Sequence, residues 1–443
     1  MSPEAHDAVV IGAGPAGLCA AAELHRLGVD TVVLERRRDP EPGTRAIGVH
    51  PPALAALEAS GATERMLAEA ARIPRGIARS RSGRVLGEVS FDRRGTRFPF
   101  VAAVPQATTE TALAFGVPAP VRGAEVRRIT RRSDGVSLLV RLAGESAPGG
   151  GAHDGTPADL AVDLEVRARA VIVAVGASGR EALLPLSRSR GRTYADRYLM
   201  TDLAHAPGQP QDLAIITLDP EGVVESFPLP NGGRRLVAWD SLGGGPGSGA
   251  ARRLDRAKPV ELAEPVELAE PVELAAPIDV AEPVAPAERL RRAVAGRTGE
   301  TELASLVESA TVFGIRRLLL PRMRSGALFV IGDAAHEVSP IGGQGMNLGL
   351  LDAATLAPAL AAWLREGSDS AEAERRLERW ERNRLASART AARLASLNTG
   401  IGRSRSPSAH RTLVATVGAV VRGPVARLAA RAYAMGFDRA ASR

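Results

Sequence analysis

The stretch from Val330 to Asn347, VIGDAAHEVSPIGGQGMN, concentrates groups suited to holding a flat, anionic ligand. An apolar lead-in at 328–331 runs into Gly-Asp and a Pro-Gly-Gly turn. A long apolar-periodic segment then extends from Met346 to about Leu364. That is the pattern of strand, loop and helix start. Exposed backbone N–H groups at a helix start favour an anion or a developing negative charge. Gly342, Gly343 and Gly345 let the backbone approach a flat ligand closely, and Asp333 at the strand's end can accept hydrogen bonds from hydroxyls. Alone, such a turn is equally an ordinary strand–helix connection.

A second glycine turn lies more than 300 residues upstream. Residues 7–35 read DAVVIGAGPAGLCAAAELHRLGVDTVVLE. An apolar run at 8–11 meets the turn Gly12-Ala13-Gly14-Pro15-Ala16-Gly17. An Ala/Leu-rich helix follows to about Leu27, and a second apolar strand at 31–34 ends on Glu35. This is a βαβ unit with a dinucleotide fingerprint. Gly12 makes the tight turn, Gly14 admits a pyrophosphate to the helix N-terminus, and Gly17 permits close helix–strand packing. Glu35 is placed to bind ribose hydroxyls. A bare GxGxxG is a weak signal; strand, helix, second strand and terminal acid together make a strong one. The apolar start lacks the basic region and cleavage site of a secretory signal.

The elements around these turns set the limits. A chain of 443 residues can bury a large core and is expected to form two joined domains. No run of about 18 apolar residues is apparent, so no membrane span is expected. The single cysteine, Cys19, excludes a disulfide framework and a cysteine-rich metal site, and suits a cytoplasmic protein. A net charge of +7 comes from scattered arginines without interleaved aromatics, which argues against nucleic acid as partner. Arg45 sits in a Gly/Pro-rich connection where a guanidinium could reach a phosphate or ring edge, and Pro51-Pro52 opens a helix. Residues 74–102 read as short strands, and Gln106 begins a short helix. Strands follow at 124–142 and 160–174, with a flexible hairpin tip at 144–157. Strands at 197–240 alternate as an antiparallel sheet with one covered face. Proline recurs every six residues from 259 to 283, so 258–288 reads as an extended insert before a helix at 288–295. A strand is expected at 311–320. The tail from Ala353 is helical, broken at 402–408, and its last stretch, 412–434, is expected to close on the dinucleotide domain.

GAGPAG, Glu35, RAIG, Gln106 and GDAAH with the following PIGGQGMNLGLLDA occur in order. In this the chain resembles the single-component FAD-dependent monooxygenases of the p-hydroxybenzoate hydroxylase type, over nearly its whole length apart from the proline repeat. The resemblance implies an α/β fold: a doubly wound, Rossmann-like FAD-binding domain, an interleaved antiparallel β-sheet substrate domain and C-terminal helices. The FAD-binding domain would comprise 1–73, 103–180 and 310–365, and the substrate domain 74–102 and 181–309. Residues 366–443 would be the helical region. It further implies that Gly12, Gly14, Pro15, Ala16 and Gly17 hold the pyrophosphate, and Glu35 and Arg36 the adenosine side. Arg45 and Gln106 would make further FAD contacts, and Asp333 would bind the ribityl chain. Pro340, Gly342, Gly343, Gln344, Gly345, Met346 and Asn347 would face the isoalloxazine. His336 reads as structural.

By the same resemblance, NAD(P)H reduces FAD, O₂ adds at flavin C4a, and the distal oxygen passes to an aromatic or polyketide-like small molecule by hydroxylation or epoxidation. One departure stands out. The family's GADGxxS-like run is Gly176-Ala177-Ser178-Gly179-Arg180-Glu181-Ala182 here, so a serine replaces the acid implicated in nicotinamide handling. That keeps two rivals open: an FAD-dependent reductase or dehydrogenase of prenyl or polyene chains, and a flavoprotein without net redox change. No Ser/His/Asp elbow and no metal cluster is apparent. Tyr194, Tyr198 and His205 lie near the substrate sheet but read as loop or core residues, so no catalytic base is assigned.

Overall fold

Continuous apolar runs, rather than alternating ones, form the centre of the first sheet, as strands covered on both faces must. A computed structural model describes residues 4–40, 46–91, 97–143, 162–184, 190–240, 252–253, 284–367, 369–422 and 432–438. Its eight-stranded sheet runs Arg324–Ser325, Leu328–Val330, Val162–Val173, Glu4–Ile11, Thr31–Glu35, Val121–Arg122. The last five of these are mutually parallel. The hairpin Ala124–Arg132 and Gly135–Leu142 extends this sheet antiparallel to Val162–Val173. Helices Pro15–Arg26 and Gly345–Glu366 pack in the same core, where Cys19 and Leu350 are both buried.

The nine-stranded sheet centres on Arg190–Leu203, Arg234–Trp239 and Val224–Pro228. Its pairs are antiparallel except Leu213–Leu218 with Arg75–Ser80, which is parallel. Every residue of Arg234–Trp239 is buried, so both faces are covered rather than the one expected. Leu199, Leu236 and Ala238 pack on the helix Pro286–Thr298, which starts two residues before the expected 288. Tyr198, Val237 and Trp239 pack on the opposite side.

Several expectations need correction. The strand Thr311–Leu319 pairs with Arg190–Leu203, so it belongs to the nine-stranded sheet and not to the eight-stranded one. Gly345–Glu366 is long and apolar enough, by length and composition, to cross a membrane, against the expectation of no such run. It is a core helix: 78% of its apolar window is buried inside the protein. Helix Pro407–Arg422 docks on the nine-stranded sheet, because Val414 and Val417 complete the apolar cluster around Leu86. Among the described residues beyond that helix, 432–438 return to the first core, where Met435 is fully buried. The expected hairpin tip at 144–157 and residues 258–283 of the insert lie outside the described residues.

Candidate functional site

The carboxyl ends of four adjacent parallel strands bring the two glycine turns together. Thr31–Glu35, Glu4–Ile11, Val162–Val173 and Leu328–Val330 end at Glu35, Gly12, Gly176 and Asp333. Ligands of open α/β sheets bind in the crevice beyond such ends. Gly12 has φ +107°, and a Cβ there would lie 2.6 Å from the Ala174 carbonyl oxygen. At Gly17 a Cβ would sit 1.9 Å from the Gly12 oxygen. At Gly14 a Cβ would meet no protein atom within 4 Å. Packing therefore explains two of the three glycines, and the third borders open space at the start of helix Pro15–Arg26. Glu35 is 4% exposed. Its carboxylate accepts from the Ala13 N–H at 2.8 Å, and from the backbone N–H and Nε of Arg37 at 3.0 Å each. Burial pushes its pKa up, but these donors outweigh burial and hold it below the usual carboxylate value.

The Asp333 side is built from close helix approach. Gly332 has φ +63°, and its Cβ would lie 3.1 Å from the Ala16 side chain; a Cβ at Gly349 would lie as close to both. The starts of the first and the long helix thus meet at the turn carrying Asp333. Asp333 is exposed, and its Oδ1 lies 3.8 Å from the Cβ position of Gly345, at the start of the long helix. Arg180, which the sequence reading passed over, is fully buried; it donates to the Asp333 carbonyl at 2.7 Å and to Glu337 at 3.0 Å. The helix Gly176–Leu183 places it there.

Residues 340–347 form the floor. Gly342 and Gly343 have φ +104° and +66°. Asn347 is fully buried: its Oδ1 accepts from the His50 N–H at 2.7 Å, and its Nδ2 donates to the carbonyls of Gly48 at 2.7 Å and Gly343 at 3.0 Å. Its side chain therefore clamps the loop to the 48–50 segment. Gln344 Nε2 donates to the Ala432 carbonyl at 3.3 Å, Met346 is partly buried against the first core, and Pro340 is exposed. The His50 imidazole stands with Nε2 3.6 Å from the Cβ position of Gly343, and burial lowers its pKa to about 4. Nothing in the sequence marked it.

Beneath the floor lies a buried charged network. Asp352 accepts from the Gly332 N–H at 3.0 Å, from His336 and from Arg384 Nε at 2.7 Å; Arg384 also donates to Asp438. Burial opposes the charged His336, but Asp352 outweighs it and holds the imidazole above its ordinary value. Burial likewise raises Asp352, and His336 and Arg384 outweigh that and hold it low. His336 is 1% exposed and belongs to this scaffold.

The other expected residues are more loosely gathered. Arg36 reaches Ser178 Oγ at 3.5 Å, so the serine that replaces the acid faces the end of the second strand. Gln106 donates to Glu110 at 2.9 Å. Arg45 lies outside the described residues. Tyr194 pairs with Ser396 at 3.2 Å, and His205 lies against Gly232. No group of three metal-ligating side chains occurs among the described residues.

The model of the FAD binding domain family matches residues 5–148 and 258–395, which takes in both glycine turns. The chain belongs to the FAD binding domain family. Among its relatives, the 6-methylpretetramide 4-monooxygenase of Streptomyces rimosus is 29% identical over 373 residues, covering 82% of this chain and 57% of that protein. The rifampicin monooxygenase of Streptomyces venezuelae is 30% identical over 387 residues, covering 83% and 68%. The chain thus spans less than two thirds of the former. A crystal structure of p-nitrophenol 4-monooxygenase from Pseudomonas putida has the same fold, with TM-score 0.71 and 20% identity over 99% of each chain. The fold class expected from the sequence is therefore that of the FAD-dependent hydroxylases.

Proposed function

We propose that this member of the FAD binding domain family is a cytoplasmic single-component flavin monooxygenase. It would use NAD(P)H and O₂ to hydroxylate or epoxidise an aromatic or polyketide-like small molecule. The observation that carries this reading is the open space at Gly14, at a helix N-terminus, on the same strand ends that carry Asp333. Relatives bearing monooxygenase names support the reaction class. FAD would supply the two-electron uptake from the nicotinamide and the activation of O₂.

In this reading the chain's own residues divide the work. Gly12, Gly14, Pro15, Ala16 and Gly17 receive the pyrophosphate on the first helix start, and Glu35 braces that turn through Ala13 while facing the ribose. Arg36, Gln106 and Arg45 attend the adenosine side. Asp333, held through its carbonyl by Arg180, accepts from ribityl hydroxyls. Pro340, Gly342 and Gly343 bring the floor against the ring. Backbone N–H groups from Gln344 to Asn347 face negative charge at the ring's edge, with the helix start behind them.

Anaerobic mixing of the purified protein with NADH or NADPH, with and without aromatic ligands, tests the reading. Expected is ligand-accelerated bleaching of the flavin and, on admitting air, one oxygen atom in the product. Protein that carries no FAD, or turns over without nicotinamide and O₂, overturns it.

A further inference from the structure

His50 joins the short strand Gly48–Val49 to the helix Pro51–Ala56. Its backbone is fixed to the floor: the Asn347 amide accepts from the His50 N–H and donates to the Gly48 carbonyl, at 2.7 Å each. The imidazole is 5% exposed and packs on the floor itself, with Nε2 3.6 Å from the Cβ position of Gly343. Nδ1 is enclosed and has no hydrogen-bond partner among the described residues. A buried polar atom left unpaired costs stability and calls for an explanation. Phenylalanine or leucine would fill this place without that cost.

The surroundings of this ring are without charge. The floor at 340–347, Gly48–Val49, Pro51–Ala56 and Val101–Ala103, which pairs with Gly48–Val49, carry no acidic or basic side chain. Among the described residues, the charged groups on the next elements stand apart from it. Arg72 lies over the Phe100 ring, Asp352 is bound by His336 and Arg384, and Asp333 stands beside Gly345. Arg365 and Glu366 are at the far end of the long helix. None of these shifts the imidazole. Burial alone acts on it and lowers its pKa to about 4, so the ring is neutral in the empty site. Its place at a helix start also disfavours a cation there. A negative charge arriving at the floor reverses that balance, because charges attract strongly where water is excluded.

We propose that His50 takes up a proton from solvent when the flavin ring lying on the floor gains negative charge, and so balances the charge of the reduced ring. The inference rests on the flavin reading for what lies there. Hydride transfer breaks a C–H bond of the nicotinamide and leaves the nicotinamide a cation. It adds two electrons and one proton to the flavin, which then bears one negative charge. A proton from water adds to the free lone pair of the imidazole and leaves again when the ring is reoxidised. An opposite charge within about 4–6 Å moves a pKa by about 1–3 pH units, which brings His50 into the range of about 5–7.

Reduction potentials of the FAD-loaded protein, measured by spectroelectrochemistry from about pH 5 to pH 8, test this. Each proton bound with two electrons changes the equilibrium tenfold per pH unit, about 30 mV. The unaltered protein binds one proton on the ring and one on His50, so its potential should fall by about 60 mV per pH unit at the acid end. The slope should ease to about 30 mV where the imidazole of the reduced protein loses its proton. His50→Gln should show about 30 mV per pH unit throughout. A packing role for His50 would move the potential without changing its slope. Equal slopes in the two proteins overturn the proposal. Should His50→Gln not hold FAD, proton uptake by the unaltered protein decides. Mixed anaerobically with NADH or NADPH at about pH 5.5, in weak buffer with a pH indicator, it should take up more than about half a proton per flavin bleached. Hydride transfer alone draws no proton from solvent, so the absence of uptake overturns the proposal. Protein that binds no FAD fails the flavin reading itself, whereas FAD-loaded protein with equal slopes fails this proposal alone.

Discussion

Gly14→Ala and Gly17→Ala separate what the first glycine turn does for the fold from what it does for a ligand. Gly14 has φ −80° and ψ 179°, a conformation alanine adopts freely, and its Cβ would meet nothing within 4 Å. Removing glycine's freedom from the unfolded chain contributes about 0.4–1 kcal/mol. Losing a good N-cap residue costs a similar few tenths to about 1 kcal/mol. The two offset, and the melting temperature of the apoprotein should move by no more than about 1–2 °C. FAD affinity should fall at least roughly tenfold, because the methyl group occupies the pyrophosphate's path and removes a charge-assisted bond of about 1.5–3 kcal/mol. Gly17→Ala differs, since its Cβ would sit 1.9 Å from the Gly12 oxygen. The apoprotein itself should lose about 1–3 kcal/mol or more by overpacking. Melting of both apoproteins by circular dichroism, with FAD titration by flavin fluorescence, reads both effects. Unchanged FAD affinity in Gly14→Ala would show that this turn does not take the phosphate. A large melting shift in the same variant would refute the claim that the space beside it is open.

Asp333→Ala should lower the flavin-to-protein ratio sharply while the far-ultraviolet spectrum stays near that of the unaltered chain; a full flavin complement would count against its ribityl role. Arg384→Met leaves Asp352 and Asp438 buried without their shared cation, and should destabilise by about 3–5 kcal/mol in urea melts. A loss below about 1 kcal/mol would mean the network relaxes. For Glu225 the folded pKa of about 7 lies above the ordinary 4.5, so the folded state binds the extra proton between those values. Stability should therefore fall as pH rises through that window, by about 3 kcal/mol in all, and Glu225→Gln should lack that part of the fall; parallel pH–stability curves would refute it.

The βαβ unit and the second glycine turn were legible because their chemistry is local. Turn, helix start and terminal acid follow within one short segment, so spacing alone orders Gly12, Gly17 and Glu35. The same locality set the start of the helix at Gly345 to within a residue. What escaped was decided across the chain. Asn347 reads as one more polar residue of a motif until its amide is seen holding Gly48 and His50. Arg180 is one of many arginines, and only the packed structure singles it out as fully buried beneath Asp333. The docking of Pro407–Arg422 turned on which apolar face lay free, and that was the sheet face around Leu86. No periodicity within the helix records that choice.

Glu225 was the least legible of all, because its burial is decided by layers that lie far from it in the chain. In sequence it is an ordinary charged residue of an alternating strand, where a charge implies a solvent face. The sheet is instead covered on both sides, so the alternation places the carboxylate inside. A fold selected for stability alone would put glutamine or an aliphatic residue there, since an unpaired carboxylate at this depth costs about 3 kcal/mol above neutral pH. Two deeper carboxylates are treated differently: Asp352 faces His336 and Arg384, and Asp438 faces Arg384. Local rules broken without compensation concentrate at functional sites.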